Sequence, residues 1–161
     1  MSLWSGKQGA VNETNLISQI TKNLAYLLEA NVSDPISATR PSSAQKKFVS
    51  TVFPDTEIYP PQLVVEVLLD NGAPIGLGST QPTGYSVFAD IHVLAKTAPQ
   101  LDTVTQDVLK ALRSQKNALI SWGMHPTASF IRGVTTTRKM EVAGTKIRMR
   151  TVQAFFKVYV S

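Results

Sequence analysis

The stretch Gln62-Leu63-Val64-Val65-Glu66-Val67-Leu68-Leu69, with Tyr85-Ser86-Val87-Phe88-Ala89-Asp90-Ile91-His92-Val93-Leu94-Ala95 after it, decides the fold. The first run is almost continuously apolar, too short for a core helix and led in by Tyr59-Pro60-Pro61, so it reads as a strand buried on both faces. The second alternates, with Tyr85, Val87, Ala89, Ile91 and Val93 on one face by the two-residue period. The connection Asp70–Gly84 holds Gly72, Gly76, Gly78, Gly84, Pro74 and Pro82. It is too long for a tight hairpin turn, so an antiparallel pair joined by an extended, projecting loop is expected.

Working outward, Leu16, Ile17, Ile20, Leu24, Leu27 and Leu28 form an apolar stripe that predicts a helix over 13–30. Asn12 is its expected N-cap, and Asp34-Pro35 lies beyond its end. A second helix is expected from about Ala98 to Ser121, with the stripe Leu101, Val104, Val108, Leu112 and Leu119. Thr97 and Gln100 fit a capping box, and Gly123 suits the C′ position. Phe48–Phe53 and Phe130–Thr137 are strand candidates, and Lys139–Val142 and Thr145–Arg150 flank a tight turn at Ala143-Gly144. Val152, Ala154, Phe156, Val158 and Val160 alternate in a last strand, whereas Ile147 and Met149 sit on the opposite parity. That switch predicts a bulge or bend near Thr151. The fold expected is α+β: a mostly antiparallel twisted sheet with two main helices packed on one face.

Residues 1–12, polar and containing Gly6 and Gly9, read as a flexible N-terminal arm on a single α+β domain spanning 13–161. Trp4 on that arm calls for a surface, either a partner's or the domain's own. The Ser/Pro-rich stretch 33–47, carrying Arg40, reads as a long loop of the kind that is mobile or functional. With 161 residues, 43% hydrophobic and 17% charged, the chain has a globular balance. It has no cysteine, which removes disulfides, thiolate catalysis and thiolate metal sites. No apolar run approaches the roughly 20 residues a membrane helix needs, and no signal peptide is expected.

The net charge of +5 is unevenly placed. Residues 1–80 carry −2 and residues 81–161 carry +7, and Arg132–Lys157 alone holds seven basic residues against one acid, Glu141. Lys146, Arg148 and Arg150 fall on one side of a strand. They suit phosphate, an acidic neighbour or plain solvent.

Signals for chemistry are sparse. His92 and Asp90 share a strand face and invite a metal pair, or a base with an orienting carboxylate, but no third ligand is suggested. His125 is expected in a loop after the second helix. Gly76-Leu77-Gly78 matches half a dinucleotide fingerprint, but Gln81 stands where the third glycine belongs, and no Gly-Lys-Ser/Thr occurs. Gly76 and Gly78, with Trp4 and Arg40, are therefore candidate interface residues. No catalytic, cofactor or metal residue is assigned.

As a whole the chain resembles the tail terminator and tail completion (neck) proteins of tailed bacteriophages. The resemblance rests on the helix Leu16–Leu28, the Tyr59-Pro60-Pro61 lead into a buried strand, and the glycine-rich excursion Asn71–Gly84. It continues through the strand Tyr85–Ala95, the helix Leu101–Leu119 and the basic terminal strands ending in Phe155-Phe156-Lys157-Val158-Tyr159-Val160. It implies a non-enzymatic ring, typically a hexamer, in the virion, assembled in the host cytoplasm. Such a ring ends the tail tube and joins it to the neck or connector, with DNA passing through its lumen without sequence-specific binding. Three other functions compete: a basic nucleic-acid-binding module, a neighbouring head-completion or adaptor protein, and a small enzyme with a site near Asp90, His92 and the 70–84 loop.

Overall fold

The computed structural model describes residues 3–43, 46–70, 73–74 and 83–160. In chain order the elements are α1 (Leu16–Asn31), β1 (Val49–Ser50), β2 (Gln62–Leu69), β3 (Ala73–Pro74), β4 (Thr83–Ala95), α2 (Ala98–Ser114), α3 (Lys116–Ser121), β5 (Met124–Val134), β6 (Arg138–Val142) and β7 (Thr145–Val160). The sheet runs β1-β2-β4-β7-β5, with β3 beside β4 and β6 beside β7. All its pairings are antiparallel except β1–β2. It is thus the α+β, mostly antiparallel sheet expected, with α1 and α2 packed against one face.

Ile20, Leu24, Leu27 and Leu28 of α1 and Leu101, Val104, Val108 and Leu112 of α2 are buried against Leu63, Val65, Val87, Ala89, Ile91 and Val93. Each such side chain contributes roughly 1.5–3 kcal/mol relative to exposure. Ile17, expected in the stripe, is 52% exposed. The first turn of α1 lies along the edge of β2, where Ile17 lines a groove with Thr21, Val67 and Leu68 instead of facing the core. Nor does Asn12 cap the helix. Its Oδ1 accepts from the Thr14 and Asn15 N–H groups, which closes a turn just before α1 begins.

Thr97 does cap α2, its side chain accepting from Gln100 N–H, and Gly123 takes the left-handed φ of +83°. The expected single helix 98–121 is two, broken at Gln115 (φ −105°, ψ 24°). The break re-aims the chain so that Leu119 is buried and the Lys116 ammonium lies over Phe130 at 5.3 Å.

The largest departure concerns the last strand. β7 is one continuous 16-residue strand, in unbroken register with β4 from Thr83↔Val160 to Ala95↔Arg148. The parity switch at Thr151 marks no bulge there; it marks a change in which face is covered. Val152, Ala154, Phe156 and Val158 face the helices. Ile147 and Met149 face the other way, into a second cluster with Val64, Leu94 and Val142 that Phe53, Ile58 and Met140 close over. The register shifts lie in β5, between Pro126 and Ile131 and between Ile131 and Gly133. β5 also starts earlier than expected, so His125 is in a strand and Pro126 opposes Phe156. An edge strand tolerates that proline, because its missing N–H would point away from the sheet.

The described part of the segment expected as a flexible arm is laid along α1. Leu3 and Trp4 N–H groups donate to the Glu29 carboxylate, and the Trp4 indole N–H donates to Val49 C=O at 3.2 Å. The fully buried Asn23 amide accepts from Gly9 N–H and donates to Gly9 C=O, both at 2.9 Å, replacing a backbone bridge. An Asn23→Ala variant is expected to lose about 1–3 kcal/mol in urea unfolding and to be cleaved faster by trypsin after Lys7. An unchanged midpoint with unchanged cleavage would show that this pairing holds nothing.

Candidate functional site

The sheet places the predicted basic residues in two settings. Lys146, Arg148 and Arg150 share the parity of Val152 and so lie on the helix side of β7, beyond the buried core. β6 sets Lys139 opposite Arg148 and Glu141 opposite Lys146, while β4 sets Ala95 opposite Arg148. Lys96, Lys139, Lys146 and Arg148 thereby converge on one shallow concavity in which Glu141 is the acid. Lys96 was out of reach of sequence reasoning, because the antiparallel β4–β7 register brings it to a strand end 50 residues away. Lys139 lay within the basic segment, but only the hairpin pairing assigns it to the cluster.

Arg150 does not join that concavity. Its Nη1 lies 3.1 Å from Asp102 Oδ1 on α2, and its Nε donates to Thr137 Oγ1 at 3.0 Å. It ties the helix to the sheet, although the pair is partly solvated and holds only weakly.

Arg40 is turned into its own domain. Its side chain is 6% exposed. The guanidinium makes a bidentate pair with Asp34 and donates to the carbonyls of Lys46, Tyr59 and Pro61. Asp34, Arg40 and Lys46 of the loop are thus tied to the lead into β2 by one fork-shaped cation. Trp4 likewise packs on its own domain's core, the second of the two surfaces open to it. Gly76 and Gly78 lie outside the described residues.

His92 has Glu66, not Asp90, as its carboxylate partner: Nε2 lies 3.0 Å from Glu66 Oε2, and Nδ1 lies 2.8 Å from Thr151 Oγ1. Residues two apart on a strand are about 7 Å apart, whereas a cross-strand diagonal neighbour can be reached by long side chains. Hydroxyl, imidazole and carboxylate stand in the order that activates a nucleophile. Thr151, however, is 6% exposed, and the Phe53 ring packs against the imidazole at 5.5 Å. The Thr151 end of this chain of bonds is thus largely covered, and the bonds tie β2, β4 and β7 together. Among the described residues, no group of three or more His, Asp or Glu is placed to hold a metal ion, and no helix is long and apolar enough to cross a membrane.

A second surface lies on the sheet face away from the helices. Leu68, Phe88 and Phe155 form a row across β2, β4 and β7, with Leu68 69% and Phe88 37% exposed. The Phe88 and Phe155 rings are 5.2 Å apart, and Arg132 and Lys157 lie over Phe155 at 5.3 and 5.4 Å. Tyr159, 48% exposed, packs against His125. Sequence reasoning placed Leu68 in a strand buried on both faces, which holds only for Gln62–Val65.

No protein-family model and no curated protein matches the chain.

Proposed function

We propose that the protein is a structural ring subunit of a phage tail, of the tail terminator or neighbouring neck class. The observation that carries this is the pairing of two unlike exposed surfaces on one small subunit. One is the Lys96, Lys139, Lys146 and Arg148 concavity, and the other is the apolar row Leu68, Phe88 and Phe155. A cyclic ring joins different patches head to tail, so each subunit needs more than one kind of surface. The basic concavity suits either acidic neighbours or the phosphates of DNA in the lumen.

Light scattering at low and high salt tests the ring. A mass near six subunits that survives high salt is the expected result. A monomer at both salts that also fails to add to purified tail tubes would end this reading. The basic concavity favours one alternative, a nucleic-acid-binding module. In that case a monomer would bind duplex DNA with a log–log salt slope of about −3 to −4, as four phosphate contacts require, and Arg148→Glu would flatten it.

A further inference from the structure

One edge of the sheet is only partly covered by the chain's own strands. β1 lies beside β2 at Val49↔Leu63 and Ser50↔Val64 alone. Past that point the Ser50 hydroxyl accepts from Val52 N–H and donates to Val52 C=O, which turns the chain out of the sheet. Among the described residues, no strand pairs with the outer side of residues 65–69. The bonding direction along β2 is set at both ends. Leu63 N–H donates outward to Phe48 C=O at 2.7 Å, and Asp70 N–H donates inward to Ser86 C=O at 2.9 Å. Alternation between these two points turns the N–H and C=O groups of Val67 and Leu69 outward, in the plane of the sheet. β2 keeps unbroken register with β4 up to Leu69↔Val87, and residues 65–69 hold no proline, lysine or bulge of the kind that blunts an exposed edge. Over the same stretch stands α1: Ile17, 52% exposed, and Thr21 line a groove of about 600 Å³ with Val67. Among the described residues, that groove is lined by two carboxylates, Glu66 and Asp90, and by no basic side chain.

We infer that this edge takes an extended segment of another polypeptide, added as a further strand beside residues 66–69 and bearing Lys or Arg next to Glu66. Main-chain bonds to Val67 and Leu69 hold the segment, and its side chains alternate between two settings. Those on the helix side rest on Ile17 and Val67 and are apolar. The one beside Glu66, on the opposite side of the sheet, lies within cross-strand reach of the carboxylate and is basic. Charge decides against a second copy of the same edge, which would bring Glu66 and Asp90 of both subunits to one seam. The bonds lie in the plane of the sheet, so the contact is separate from the open face and from the basic concavity. It stands whether or not the chain forms a ring.

The test is an NMR titration of the full isotope-labelled chain with two capped eight-residue peptides, one alternating Val and Lys, the other alternating Val and Glu. In the free protein the amides of Val67 and Leu69 are expected to exchange quickly with solvent, and those of Glu66 and Leu68, bonded to β4, slowly. At millimolar concentration the Lys peptide is expected to shift and protect the Val67 and Leu69 amides, binding roughly two- to fivefold tighter than the Glu peptide. Glu66→Lys is expected to reverse that preference. Val67→Pro removes an outward N–H without breaking the ladder to β4, and is expected to abolish binding. Ile17→Ser, at an exposed position, is expected to weaken it. Each variant's amide spectrum reports its folding. Val67 and Leu69 amides already protected in the free protein would overturn the inference: the edge is then covered from within the chain, or by a second copy if the protection falls on dilution. Equal shifts with the two peptides, no shift with either, or undiminished binding by a folded Val67→Pro or Ile17→Ser variant would overturn it as well.

Discussion

An Arg40→Met variant is expected to unfold with about 3–5 kcal/mol less stability than the wild type, the largest loss at any polar position described. The guanidinium is almost fully buried, and its removal leaves the Asp34 carboxylate, itself 13% exposed, without its cation. The carbonyls of Lys46, Tyr59 and Pro61 lose their donor at the same time. Arg40→Lys should recover little, because one ammonium cannot span a carboxylate and three carbonyls in the plane of a fork. A D34N/R40M double variant should be less destabilised than the sum of its single changes, because the uncompensated charge is gone. Chemical denaturation of these three variants and of Asp34→Asn reads this directly. An Arg40→Met midpoint within measurement error of the wild type would mean that the loop 33–47 is held by other contacts.

Ile147→Ala is expected to cost about 2–5 kcal/mol, against no more than about 0.5 kcal/mol for Gln153→Ala on the same parity of the same strand. Ile147 is 2% exposed in the second cluster, whereas Gln153 lies past the end of that cover. The comparison isolates the claim that β7 is buried on the face away from the helices over Ile147–Thr151 and on the helix face alone beyond it. Equal losses at the two positions would restore the bulged-strand reading.

What the sequence legibly specified were features set by neighbours along the chain. Gln62–Leu69 is a strand with the bounds its composition predicts. Thr97 caps α2, and Ala143-Gly144 turns between β6 and β7 with positive φ at both residues. Arg40 was legible as a conspicuous cation in a long loop, but its role was not. Its five acceptors come from residues 34, 46, 59 and 61, and nothing in their spacing announces that they meet. Similarly, the Glu66–His92–Thr151 tie joins three strands, while local parity pointed to Asp90.

The sequence by itself determined the fold class, the apolar stripes of both main helices and the excess of positive charge toward the C-terminus, because periodicity and composition act over a few residues. Only the tertiary structure decided which sheet face each stripe covers, that Ile147 and Met149 have a core of their own, and that Lys96 completes a basic concavity with Lys139, Lys146 and Arg148. Those outcomes depend on strand order and register, which bring residues tens of positions apart to within a few ångströms. A period of two shows that a strand has two faces and leaves open what lies against each.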